Sequence, residues 1–223
     1  MPRERMLVLA SSQKLGGRCV AGLGLDSERL LRPVSRTQSG TLNLPDCRVD
    51  GTWPRLLKVV EFGYRGPDGR PWQPENLVLD DTRWRSCAAI PVDRLGGVLA
   101  AHLHRGGTLL GNRGAAVPVE ECEHGLGASL ALVEPDDLTF EHEQVDWGRG
   151  GRPRAWFRHG GRLWRLPLTD FVVRPQLLKW PFGVYDWDQL ELHRPRRVLL
   201  TLSLGEPHRG WHHKLVAAVV PLG

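Results

Sequence analysis

The densest chemistry in this sequence falls at residues 205–214, where Glu206, His208, Arg209, Trp211, His212, His213 and Lys214 crowd together. An acid, imidazoles that titrate near neutrality and a fixed cation are the parts needed to move protons on a phosphate ester. If the two ends of the chain meet, Lys14, Gly17, Arg18 and Arg32 join this set, with a phosphate held between Arg18 and Lys214. Two readings follow. In one, Glu206 with His212 or His213 makes a metal-independent enzyme that processes phosphodiesters or nucleotides. In the other, which we prefer, the same cations and His208 form only a binding pocket, because the sequence carries no nucleophile elbow, nucleotide fingerprint or acidic metal cluster. Neighbouring residues on a strand face opposite ways, so His212 and His213 cannot both serve one site. That argues against zinc on His208, His212, His213 and Glu206, and no cofactor is expected.

A second group of residues points to nucleic acid. The net charge is +5 over 223 residues, and all but Lys14, Lys58, Lys179 and Lys214 of the 30 basic residues are arginine. Guanidinium groups bind phosphate bidentately and stack on bases. Arg149, Arg152 and Arg154 lie in a glycine-rich run expected to be an exposed, protease-sensitive loop. Arg158, Arg162, Trp164 and Arg165 flank Gly160 and Gly161, a hairpin signal, and interleave arginine with aromatic residues as a stacking platform for single strands does. Gln73, Glu75 and Asn76 carry the amides and carboxylate that match base edges, although such residues before a strand also cap turns.

The elements that must position these groups are short. With 26 glycines and 17 prolines, turns recur too often for long helices, and a mainly β chain is expected. Residues 6–10, 18–25 and 29–35 read as a three-stranded meander, with residues 11–17 as its first turn. Further strands are expected at 55–62 and 77–79, and an edge strand at 139–145. Residues 198–204 and 215–220 read as strands around a displayed turn. Residues 92–104 carry the one principal helix, with Leu95, Val98, Leu99 and Leu103 on one face. The irregular stretch 106–127 separates two strand series. Hence two tandem small barrels are expected, 1–125 with the linker helix and 126–223. The cysteines are scattered with no C-x-x-C pair, and no segment approaches the roughly 20 apolar residues of a membrane span. A cytoplasmic protein with reduced thiols is expected.

Residues 7–10, 16–22, 31–35, 73–76, 203–207 and 213–218 together resemble the bacterial dual OB-fold domain family, from near one end of the chain to near the other. The resemblance implies two OB folds and, by association, a module that senses nucleic acid or nucleotides in bacterial conflict systems. The expected partners are therefore single-stranded nucleic acid or a nucleotide, and a separate effector protein. No catalytic residues come with it.

Overall fold

The computed structural model describes residues 1–14, 16–145 and 150–223. Its elements are β1 (Arg3–Lys14), β2 (Gly17–Gly24), β3 (Leu30–Val34), α1 (Leu44–Cys47), β4 (Val59–Pro67), β5 (Asn76–Leu79) and β6 (Arg85–Ser86). There follow α2 (Val92–Ala100), β7 (Ala116–Pro118), α3 (Val119–Glu123), β8 (Leu130–Val133), β9 (Leu138–Glu143), β10 (Arg152–His159) and β11 (Arg162–Pro167). The chain closes with α4 (Val173–Leu177), β12 (Gly183–Tyr185), β13 (Arg197–His208) and β14 (Trp211–Leu222). It is mainly β, as expected, and α2 is its longest helix among the described residues.

The first five strands close on themselves in the order β1-β2-β3-β5-β4 and back to β1, with β3 and β5 parallel. Closure works because β1 bends. The first half of β1 pairs with β4, and most of the strand, from Met6 onward, pairs with β2, with a register shift between Val8 and Ala10. A bulge of this kind turns a strand sharply enough to serve both neighbours. Gly22 allows the close approach, since any side chain there would run into the Leu7 carbonyl.

The second strand series repeats that circuit more loosely. Strands β9, β10 and β11 form a meander, and β13 pairs with β14 on one side and β8 on the other. A single parallel bridge, Leu168 to Val216, joins the end of β11 to β14. Strands β8 and β9, separated by four residues, take the two halves of the role that β1 plays alone. The series is thus a half-open counterpart of the closed barrel.

An apolar seam joins the two. Leu7, Leu9, Ala21 and Leu23 of the first barrel share one core with Leu132, Leu199, Ala218 and Val220 of the second, and Leu95 and Leu99 of α2 are buried in it. Thr201 donates across the seam to the carbonyl of Leu9, the residue at the β1 bulge, at 2.6 Å.

Five expectations about elements need correction. Residues 11–14 continue β1 instead of turning, because Ser12 and Gln13 find backbone partners at Asp170 and Thr169 in the second barrel. Strand β9 is interior, between β10 and β12. The helix stops at Ala100, and Leu103 instead bridges to Leu132. The dense segment 205–214 is not a displayed loop: β13 and β14 run through it to a two-residue turn, with Arg209 at φ 51° and Gly210 at φ 82°. The arginine run lies partly in β10, which begins at Arg152, and Arg149 falls outside the described residues.

Candidate nucleic-acid interface at the barrel junction

The sequence motifs of the first barrel converge on the junction, where most of them are spent on holding the barrels together. Arg32 on β3 is 1% exposed. Its guanidinium donates to Asn76 Oδ1 at 2.8 Å, to Ser203 Oγ at 3.0 Å and to Ser129 Oγ at 3.3 Å. Its Nε has no partner among the described residues. Glu75 accepts the backbone N–H of Ser129 at 2.6 Å and of Leu130 at 3.0 Å, and the Ser129 hydroxyl at 2.6 Å. Gln73 donates to the Leu204 carbonyl at 3.0 Å and accepts from Asn76 at 2.9 Å. A buried cation among neutral partners depends on the hydrogen bonds it makes, and here both terminal nitrogens make them while Nε does not. These four side chains have little donor or acceptor capacity left for a ligand.

A cavity of about 360 Å³ opens between β1, β13 and β14. The β13–β14 register shifts between Leu204 and Pro207, placing two residues, Gly205 and Glu206, opposite His213. Glu206 thereby lines the cavity, where its Oε1 accepts from Lys14 Nζ and Arg70 Nη1, both at 2.9 Å. Lys14, Arg32, Gln73, Glu206 and His208 all reach the cavity wall.

His208 and Thr169 also belong to an adjoining groove of about 460 Å³, whose other residues include Arg152, Arg154, Arg174 and His213. Arg154 is paired with Glu143 at 2.9 Å. Among the described residues, no carboxylate lies within ion-pair reach of Arg152, Arg174, His208 or His213. Burial lowers the His213 pKa below the ordinary imidazole value, and the neighbouring His208, Arg154 and His212 push it the same way.

Other candidates lie elsewhere. The side chain of Lys214 is buried and donates to Asn112 O and Oδ1, both at 2.8 Å, and to Gly114 O at 2.7 Å. Burial brings its pKa down to about 8, with Arg162 adding to the effect. Arg18 is instead stacked between the rings of Phe171 and Trp53, 3.2 and 4.4 Å from their centroids. The two cations therefore do not form a phosphate clamp. Gly17 sits against the Leu42 carbonyl, a packing role. His212 is fully buried, its Nδ1 2.8 Å from the Gly205 carbonyl and its ring against Trp72, while His213 faces the other way. Glu206, His212 and His213 thus share no common pocket. No cluster of three metal-ligating side chains exists among the described residues.

The arginine and tryptophan hairpin is also differently disposed. Its strands pair from Arg154 with Pro167 to His159 with Arg162. Trp164 is 3% exposed, with its indole N–H donating to the His159 carbonyl at 3.2 Å, so neither ring face is open to a base. Arg165 is locked to Glu141 at 2.8 Å and to Glu143, and it holds the Glu141 carboxyl below the usual carboxylate range. Arg158 faces Asp137 at 3.6 Å, and Arg162 remains exposed. Sequence reasoning overlooked Arg70, Ser129, Ser203 and Arg174. Arg70, Ser129 and Ser203 meet partners distant in the chain, Glu206, Glu75 and Arg32, and Arg174 matters only through the groove it lines with His208 and His213.

A family model described as the dual OB-containing domain matches residues 4–219. No curated protein matches the chain. Among solved structures, the crystal structure of the tetrameric p202 HIN2 is similar at 5% identity and a TM-score of 0.30. That alignment covers 96% of this chain and 87% of the other, and it is too distant to carry an argument. No described helix is long and apolar enough to cross a membrane. The family match spans nearly the whole sequence and agrees with the closed barrel and its half-open counterpart, so the chain belongs to the dual OB-containing domain family.

Proposed function

We propose that this chain binds single-stranded nucleic acid in the second barrel's groove, which adjoins the cavity at the barrel junction, and that it acts in the cytoplasm as the sensing part of a bacterial defence system with a separate effector. OB folds bind oligonucleotides and oligosaccharides, so membership suggests the ligand class without choosing it. The observation that carries the reading is the groove itself. Arg152, Arg174, His208 and His213 line it without a carboxylate partner among the described residues, whereas Arg154 and Arg165 have their charge already matched. Unpaired guanidinium groups such as those of Arg152 and Arg174 are what a phosphate backbone exchanges for its counterions, and the two imidazoles add ring N–H donors beside them. In this reading residues 1–125 and 126–223 form two barrels that act as one binding unit across their seam.

Titration of labelled DNA and RNA oligonucleotides over a range of salt tests it. Affinity should fall by roughly 0.7 log units per log unit of salt for each phosphate neutralised, and Arg152→Ala or Arg174→Ala should reduce that slope by about one such step. Binding that ignores salt, or no binding, overturns the reading. Affinity capture from the host with and without nuclease treatment tests the effector: a protein retained after nuclease supports it, and recovery of none removes it.

A further inference from the structure

Resting on that reading, we propose that the cavity beside the groove takes one nucleobase from the bound strand, and that Glu206 selects bases carrying an exocyclic amine. The groove and the cavity share Thr169 and His208, so a strand lying in the first passes the mouth of the second. The cavity, at about 360 Å³, is in the range of small-ligand sites, which start near ~300 Å³. Leu204, Pro207, Leu215 and Ala217 give it aliphatic walls suited to the face of a flat ring. Its polar side is unequal. Glu206 Oε1 accepts from Lys14 and Arg70, while its Oε2 makes no hydrogen bond to any described residue. A carboxylate oxygen accepts hydrogen bonds and donates none, so it matches the amine of cytosine or adenine and opposes the carbonyl that thymine or uracil carries at the same place. Lys14 and Arg70 both donate to Oε1, which restrains the carboxylate through that one oxygen.

A dodecamer series measured by fluorescence anisotropy tests this. The strands are fully abasic, abasic except for one cytosine, abasic except for one thymine, and all cytosine. One cytosine should restore most of the affinity of the full strand, about tenfold over the abasic one, and one thymine should not. Glu206→Gln should abolish the difference between the two. Because Glu206 also anchors Lys14 and Arg70, a second readout uses the wild-type protein. Cys19 lines the same cavity, so cytidine monophosphate should slow its alkylation, followed by peptide mass spectrometry, more than thymidine monophosphate does, and should leave Cys87 unaffected. Equal affinity of abasic and ordinary strands, or affinity that climbs evenly with the number of bases, overturns the base pocket while leaving groove binding intact. Failure of ordinary strands to bind overturns both.

Discussion

Arg32 on the first barrel donates to Ser203 Oγ on β13 at 3.0 Å, across 171 positions of sequence and the seam between the barrels. The bond is one of three that this buried guanidinium makes, and every acceptor is neutral. Arg32→Ala would leave Asn76, Ser129 and Ser203 short of a donor in a closed site. Chemical denaturation should show a loss of about 2 to 4 kcal/mol. Arg32→Ala combined with Ser203→Ala should cost less than the sum of the two. Additive losses would mean that the bond couples nothing.

Trp164 is part of the second barrel's core. Trp164→Ala should lower stability by about 3 to 5 kcal/mol, and in any molecules that remain folded nucleic-acid affinity should be unchanged. Weaker binding by a fully stable variant would restore the stacking platform.

Lys214 has its three protons shared among carbonyl oxygens, yet burial lowers its pKa from 10.5 to about 8. Between those values the unfolded chain keeps the proton and the folded chain releases it, so stability should rise with pH from about 8 to 10.5. In Lys214→Met that rise should vanish. Melting temperatures across alkaline pH decide the matter, and an unchanged rise in the variant would assign it to other groups.

Acid acts through two imidazoles. Burial lowers the pKa of His104, with His159 only 3.4 Å away, and burial with His208, Arg154 and His212 lowers that of His213. Below the unfolded value of about 6.5 the unfolded chain takes up protons that the folded chain refuses, so stability should fall. His104→Gln should flatten that fall. Affinity for nucleic acid should move the other way, because a phosphate in the groove favours the charged form of His213. Binding that is flat between about pH 7.5 and about pH 5.5 would take His213 out of the groove.

The sequence by itself determined the mainly β class, the meander that opens the chain, the Gly160–Gly161 hairpin and the helix over Leu95 and Leu99. Each rests on local periodicity or on backbone freedom at a turn, and both are written in neighbouring residues. Residues 205–214 were legible as chemistry, but their disposition was not. Whether Glu206 enters a cavity depends on one bulge opposite His213, and strand alternation then buries His212 and Lys214 while leaving His213 outward. Gln73 and Glu75 looked free because their partners, Leu204, Ser129 and Leu130, lie more than fifty positions away, and Asn76 because its buried cation, Arg32, lies 44 positions away. Likewise, arginines of equal charge in the sequence became unequal in space, with Arg154 and Arg165 neutralised by Glu143 and Glu141 while Arg152 and Arg174 have no carboxylate partner among the described residues. Tertiary structure alone decides such pairing, because an electrostatic partner is chosen by distance through space and not by distance along the chain.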